Sequence, residues 1–455
     1  MGKKYFLDEP IAAIATALVP SALGIVRVSG KDSIRILSGV FSRPEALLEA
    51  PGNTLVHGWI QKSSGEKIDE TLVAVYRAPK SFTGEESAEI ICHGGVNVVT
   101  GIFSLLKEAG FRQAEGGEFS FRAFANGKTD LSRAEAIREI IDSKSDEARD
   151  RAVSRLSGTL YKEIKRIKEK IIECLASLEV QIDYPEDELA AGEKFNPQSL
   201  LEAAKELKKI SGTWKSQKLY QDGAKVVLCG KTNAGKSSLF NILVKEERAI
   251  VSDIHGTTRD WLENWTSVKG IPVRLFDTAG IRETEDKIEE IGVSRSKQLA
   301  EEGDLILYLA DGRDFVEQTE ADFINTYREK MILVWNKTDA PDCRDIPPGW
   351  IGISTKTGNG VEALCEAVFE KLTGSRGENF DSGTKASVGS LRQKEAVERA
   401  ATHSERAVGF FNQCLEFDVI AQEMQEALEA LGEITGETVA EDILGDLFSR
   451  FCVGK

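Results

Sequence analysis

The stretch Gly230-Lys231-Thr232-Asn233-Ala234-Gly235-Lys236-Ser237 fits the pattern G-x-x-x-x-G-K-[ST] and constrains the fold more than any other part of the chain. Residues 226–229 before it form an apolar run suited to a buried parallel strand, and Leu239, Phe240, Ile242 and Leu243 after it carry helical spacing. Strand, glycine-rich turn and helix in this order predict a phosphate-binding loop. The glycines let backbone N–H groups turn toward phosphate oxygens, the helix N-terminus adds partial positive charge, Lys236 neutralises the outer phosphates, and Ser237 is suited to Mg²⁺. A chance glycine turn is the alternative, and the flanking strand and helix argue against it.

Downstream residues narrow the nucleotide. Asp277-Thr278-Ala279-Gly280 follows the apolar run 273–276, which sets Asp277 at a strand's carboxyl end, where open α/β sheets bind ligands. Asn336-Lys337-Thr338-Asp339 closes a strand at 332–335. The carboxylate of Asp339 can accept hydrogen bonds from the N1–H and 2-amino group of guanine, donors that adenine lacks on that edge. Ile351-Gly352-Ile353-Ser354-Thr355-Lys356 would cover the base, and Gly256-Thr257-Thr258-Arg259-Asp260 would bring Thr258 to Mg²⁺ and the γ-phosphate. Each tetrapeptide alone reads equally well as a surface turn, but five in this order after a phosphate loop predict a GTPase. After Gly280 stands Ile281, which orients no water by hydrogen bonding, so another group must do so. Asn233 offers an amide oxygen near the β- and γ-phosphates, where a monovalent cation would offset charge.

With 455 residues, 41% of them hydrophobic, the chain is long enough for two to four domains with real cores. A net charge of −16 speaks against a general nucleic-acid coat and leaves nucleic-acid contact only to a local basic patch or a partner's surface. The seven cysteines form no C-x-x-C pair, so neither a zinc site nor a disulfide framework is expected. No apolar run is long enough to span a bilayer, and a soluble, cytoplasmic protein without membrane insertion is expected.

Residues 8–120 read as a compact α/β unit, with strands at 24–28, 72–76 and 89–92 and a helix through Val98, Ile102 and Leu106. From 121 to 220 the pattern is helical: Ile164, Ile167, Ile171, Leu175, Leu178 and Ile182 form the expected core stripe, with Lys162, Lys165, Lys168 and Lys170 off it. Those lysines read either as a wet face or as an RNA contact. Helical spacing resumes at 391–431 through Val397, Val408, Phe411, Leu415, Ile420, Met424, Leu428 and Leu431. The expected fold is a multidomain α/β plus α chain, with an N-terminal α/β domain (1–120) and a helical bundle in two parts (121–217 and 377–455). A Ras-like P-loop GTPase domain (218–376) is inserted into that bundle.

Further motifs are more discriminating: Gly24-Ile25-Val26-Arg27-Val28-Ser29-Gly30, Ser81-Phe82-Thr83-Gly84-Glu85, His93-Gly94-Gly95, Gly117-Glu118-Phe119-Ser120-Phe121-Arg122-Ala123-Phe124-Ala125-Asn126-Gly127-Lys128 and Phe451-Cys452-Val453-Gly454-Lys455. With these the whole chain resembles the MnmE (TrmE) family of tRNA-modification GTPases. The resemblance implies a homodimer formed through a folate-binding N-terminal domain. It also implies a heterotetramer with the FAD-dependent MnmG family, and modification of the wobble uridine of certain tRNAs with a one-carbon unit from 5-formyltetrahydrofolate or a related tetrahydrofolate. The group built on the uridine is of the 5-carboxymethylaminomethyl type. A ribosome-assembly switch binding ribosomal RNA is the alternative, and the acidic helical segment after the GTPase region speaks against it.

Carried onto this sequence, the resemblance gives Arg27, Glu89, Lys128 and Lys455 as folate contacts, Asn233, Ser252, Ile254 and Thr257 as K⁺ ligands, and Ser237 and Thr258 as Mg²⁺ ligands. Glu289 corresponds to the water-positioning glutamate, and Cys452 is expected to act in the modification chemistry. The GTP-binding set is Asn233, Ala234, Gly235, Lys236, Ser237 and Ser238, then Ser252, Asp253, Ile254, His255, Gly256, Thr257 and Thr258. It continues with Asp277, Thr278, Ala279 and Gly280, then Asn336, Lys337 and Asp339, and closes with Ser354, Thr355 and Lys356. Without the resemblance, Arg27 reads as a surface ion pair and Cys452 as incidental between Phe451 and Val453. The chain departs from the family in having Ser21-Ala22 where two glycines are usual, Thr232 for a loop proline and Thr355 for alanine.

Overall fold

A computed structural model describes residues 5, 7–183, 195–246, 263–277, 298–315, 317–374, 386–439, 441–451 and 453–454. By compactness the chain forms two units, Met1–Arg138 with Gln425–Lys455, and Glu139–Met424.

In the first unit, β1 (Ile11–Ile14), β2 (Leu23–Ser29), β3 (Thr54–Gln61), β4 (Lys67–Tyr76), β5 (Ser87–His93) and β6 (Arg112–Gln113) make one sheet in the order β3-β4-β5-β2-β1-β6. Only the β1–β6 pair is parallel. The alternation in β2 explains its two faces. Val26 and Val28 are buried with Ile34 and Leu37 of α1 (Ser33–Ser38), Leu47 of α2 (Pro44–Glu49) and Ile102 and Leu106 of α3 (Val96–Glu108). Gly24 lets α3 approach, since a Cβ there would lie 2.5 Å from a Val99 methyl. On the opposite face Arg27 stands directly across from Glu89 in the β2–β5 register.

Helices α4 (Glu118–Ala125) and α5 (Leu131–Asp142) follow, and the last helix, Glu441–Ser449, returns to them. Its Phe448 is fully buried, in edge contact with Phe121 at 5.6 Å. Beyond it, Phe451 is buried and Val453 makes a β-bridge to Gly116. Gly117, at φ +69°, is needed for this seat: a Cβ would fall 2.2 Å from the Phe448 carbonyl oxygen.

The second unit holds helices α6 (Asp146–Leu156), α7 (Thr159–Asp183), α8 (Pro197–Ser211) and α9 (Trp214–Asp222), then a second sheet. That sheet comprises β7 (Ala224–Gly230), β8 (Glu263–Val268), β9 (Ile271–Asp277), β10 (Leu305–Asp311), β11 (Met331–Asn336) and β12 (Trp350–Gly352), ordered β12-β11-β10-β7-β9-β8. Only β8–β9 is antiparallel. Covered on both faces, β10 buries all its residues, as a central parallel strand must. Around the sheet lie α10 (Lys236–Glu246), α11 (Gln318–Tyr327) and α12 (Val361–Thr373), followed in the chain by α13 (Leu391–Asn412) and α14 (Phe417–Thr435), whose residues from Gln425 on belong to the first unit.

Two details of the expected helices are corrected. In α7 the buried stripe runs through Ile164, Ile167, Ile171, Cys174 and Leu178; Leu175 is half-buried and Ile182, at the helix end, is 43% exposed. Cys174 and Leu175 both keep three-four spacing between Ile171 and Leu178, so the period alone does not choose between them. The pattern at 391–431 is two helices, broken where Cys414 takes φ +55°, and Leu415 in the break is 41% exposed. The expected boundary at 217/218 lies inside α9, and the chain enters β7 after Gly223, at φ +71°.

Candidate functional site

The carboxyl ends of β7, β9, β10 and β11 carry Gly230, Asp277, Asp311 and Asn336. At the first, backbone at φ +132° (Gly230), +63° (Asn233) and +100° (Gly235) curls the phosphate loop into α10. Lys236 is buried, and its Nζ donates to the carbonyl oxygens of Gly230 and Lys231, each at 2.7 Å. Burial lowers its pKa, and the nearby Asp277 carboxylate opposes that shift. A buried ammonium held by neutral carbonyls is suited to an incoming anion. The Ser237 hydroxyl donates to Asp277 Oδ2 at 2.9 Å, which joins two hard oxygen ligands of the kind Mg²⁺ takes. Asn233 and Ser238 are exposed and Ala234 is buried.

The base-reading residues are tied to the loop. Asn336 is fully buried; its amide donates to Ala234 O at 2.7 Å and to Thr355 Oγ1 at 3.2 Å, and its oxygen accepts from Thr355 N at 3.1 Å. It therefore staples the phosphate loop to the base-covering loop. Gly235 is required there, since a Cβ would lie 2.1 Å from the Asn336 amide nitrogen. Asp339 Oδ1 accepts from Ser354 Oγ at 2.7 Å, and the same hydroxyl accepts from Lys356 N at 3.3 Å, so covering loop and base-reading carboxylate are set together.

Sequence reasoning missed Asp311. It receives Lys337 Nζ at 2.6 Å and a bidentate Arg313 at 2.9 and 2.8 Å. The Arg313 hydrogen bond first, and then Lys337, hold its carboxyl well below the usual carboxylate range. An aspartate closing an apolar strand at Asp311-Gly312 was the available signal. The expected site residues Ser252, Asp253, Ile254, His255, Gly256, Thr257, Thr258, Thr278, Ala279, Gly280 and Glu289 lie outside the described residues, as does Ile281. Among the described residues no group of three or more His, Cys, Asp or Glu side chains is set to hold a metal ion.

In the first unit, Arg27 and Glu89 do meet. The guanidinium donates from Nε at 2.9 Å and Nη2 at 2.6 Å to Glu89 Oε1, and from Nη1 at 2.9 Å to the carbonyl of Gly454 in the C-terminal tail. The rings of Phe82 and Phe119 lie 5.8 and 5.7 Å from it. Lys128 is not on this pair: its Nζ donates to Pro79 O at 2.9 Å and its stem packs along Gly84, on the loop that carries Phe82. Cys452 and Lys455 lie outside the described residues.

Beneath that loop is a buried ion cluster that the sequence reading used only as motif residues. Arg122, fully buried, donates to Glu118 at 2.9 Å, Glu85 at 3.2 Å and the Glu9 carbonyl at 2.8 Å. Burial raises the Glu118 pKa, but hydrogen bonds from Arg112, the Glu115 amide and Arg122 outweigh it and leave the carboxyl below its ordinary value. Glu85 also accepts from Ser29 Oγ at 2.8 Å, which pins the 81–85 loop to β2 beside Arg27. A charged pair four apart in an aromatic-rich helix, Glu118 and Arg122, was the signal.

The arrangement is that of a nucleotide-binding sheet in one unit and, in the other, a cation-carboxylate-aromatic cluster to which the tail's Gly454 carbonyl is bonded. The family model for the GTP-binding protein TrmE N-terminus matches residues 10–128, and that for the MnmE helical domain matches residues 131–452. The tRNA modification GTPase MnmE of Treponema denticola is 49% identical over 99% of both chains, and that of Treponema pallidum 38% over 99% of both. Among solved structures, the G domain of the T. maritima FeoB iron transporter is 27% identical, covering 32% of this chain and 98% of its own, with a TM-score of 0.25. On the family models and full-length identities, this chain belongs to the MnmE (TrmE) family.

Proposed function

We infer that this chain is a tRNA-modification GTPase. It hydrolyses GTP in the second unit and takes part, through the first, in building a 5-carboxymethylaminomethyl-type group on wobble uridine with a tetrahydrofolate one-carbon unit. The observation that carries the reading is the phosphate loop whose Lys236, Ser237–Asp277 pair and Asp339–Ser354 pair stand at the carboxyl ends of the parallel strands of one sheet.

Within it Lys236 meets the β- and γ-phosphates, Ser237 and Thr258 hold Mg²⁺, and Asp339 reads guanine. Asn233, with Ser252, Ile254 and Thr257, holds K⁺, which supplies the positive charge that a cis arginine would otherwise bring, and Glu289 orients the water that Ile281 cannot. In the first unit Arg27, Glu89, Lys128 and Lys455 hold the folate, which supplies the carbon. The Gly454 carbonyl on Arg27 supports assigning the tail, and with it Cys452 and Lys455, to this site. The donor set fits a pterin and its carboxylate tail: a cation, a carboxylate and two flanking rings.

The outer sheet face supports a homodimer through this unit. Leu72, Ile91 and Ile25 are in register across three strands, with Leu23 and Leu55, 59% and 61% exposed, on the same face. The MnmG-family protein and tRNA are the proposed partners in a cytoplasmic complex, and the insertion of the GTPase domain into the helical bundle is part of the same reading. Complementation tests it. In cells lacking the native protein, this chain should restore wobble-uridine modification by mass spectrometry, and the purified chain should hydrolyse GTP faster in K⁺ than in Na⁺ at equal ionic strength. Absence of both activities would overturn the reading.

A further inference from the structure

In a chain whose acidic residues outnumber Lys and Arg 74 to 58, residues 159–170 and 203–218 hold ten Lys and Arg against three Glu. The first stretch is the start of α7; the second is the end of α8 and the start of α9. Arg166 and Lys170 reach Glu206 at 2.6 and 3.2 Å, which sets the first half of α7 level with the last half of α8, and α9 follows α8 after two residues. Two of the three glutamates are used in ion pairs: Glu163 with Arg166, and Glu206 with both Arg166 and Lys170.

What remains is six exposed lysines in three pairs, Lys162 with Lys165, Lys205 with Lys209 and Lys215 with Lys218, none in an ion pair among the described residues. Each pair is three or four apart on its helix, so like charges are neighbours and oppose the helix they sit on. Two of the pairs, moreover, occupy the beginnings of α7 and α9, where the helix dipole favours carboxylates and where neither helix has one in its first turn. Glu169, Glu202 and Asp222 stand three or four residues from Lys165, Lys205 and Lys218, but among the described residues no ion pair joins them to these lysines.

We propose that this lysine-lined end of the helical bundle is a docking surface for the phosphate backbone of RNA, and that it is this chain's own hold on tRNA. The inference rests on the proposed tRNA-modification function. A polyanion is the partner that turns three lysine pairs without an ion-pair partner among the described residues into affinity, because each neutralised phosphate releases counterions.

The test is a full-length variant with all six lysines changed to Gln, measured against an unmodified tRNA transcript from 50 to 200 mM salt. Affinity should fall by at least about 10²-fold, and the slope of log K against log salt should become shallower by about four. Tm should hold or rise, since repulsion is relieved, and GTP hydrolysis should be unchanged. Lys205→Gln with Lys209→Gln alone should give about one third of the slope change. Unchanged RNA affinity and slope would overturn the proposal. So would an equal loss per lysine in a control carrying Lys31→Gln, Lys62→Gln and Lys107→Gln, or loss of binding to phosphatidylserine vesicles with RNA binding intact. If the native-sequence chain fails to restore modification in deletion cells, the functional reading fails; if it restores it and the six-lysine variant binds tRNA equally well, only this surface fails.

Discussion

Each unit is organised around one cation, and the two cations are kept in opposite states. Lys236 is surrounded by its own loop: its partners are carbonyls five and six residues away, and it makes no ion pair among the described residues. Arg27 is already committed, with two N–H donors on one carboxylate oxygen 62 residues away and a third on a carbonyl 427 residues away. The first site keeps its charge for the ligand. In the second the charge is balanced by Glu89 and the guanidinium also holds the tail through the Gly454 carbonyl, so the folate proposed there would meet an arginine that is already paired.

Four experiments break or sharpen this contrast. The largest effect belongs to Lys236→Ala, which removes uncommitted charge. GTP turnover should fall by about 10³-fold or more, measured as phosphate release, with Tm nearly unchanged. Retained turnover would make Lys236 structural. Next, Asp339→Asn should exchange a carboxylate acceptor for an amide donor and shift preference from GTP to xanthosine triphosphate by about 10²- to 10³-fold. Competition binding checks this, and a variant still preferring GTP would remove Asp339 from base reading.

Third, Arg27→Ala should leave Glu89 unpaired and free the tail. Because the pair's side chains are 20% and 22% exposed, the expected cost is only about 1–2 kcal/mol by denaturant titration, well below that of a fully buried pair. Faster digestion by carboxypeptidase should accompany it, with GTP turnover within about twofold of the unaltered chain. A fall in GTP turnover as large as that of Lys236→Ala would erase the distinction between the two cations. The smallest effect is that of Asp311→Asn, which keeps an acceptor for Lys337 but halves the charge contrast. GTP affinity should weaken by about fivefold, roughly one charge-assisted hydrogen bond's difference, read by equilibrium titration. An unchanged Kd would show that Lys337 positions itself.

How much was legible follows from how each site is built. The phosphate loop is contiguous, so its strand, turn and helix could be read from residues 226–243, and the base-reading segment from a strand ending at Asn336. The role of Asn336 could not, because it staples two loops that lie 102 and 19 residues away from it. Arg27 by itself reads as one more surface arginine; its meaning depends on Glu89 standing opposite it in the sheet register and on the tail's return. The α7 stripe was legible as a period, but that Cys174 is buried and Leu175 only half-buried was not.

The sequence by itself determined what local backbone chemistry can encode: glycines where φ must be positive, alternation in β2, the helical period of α7, and a phosphate loop between strand and helix. The tertiary structure alone decided which charges are spent and which are kept. Glu118, Arg122 and Glu85 became one buried cluster, Asp311 became the holder of Lys337, and the tail became a lid on Arg27. The physical reason is that a charge's role is set by the carboxylate, carbonyl or water it finally faces, and those partners come from strands and loops whose adjacency no local pattern records.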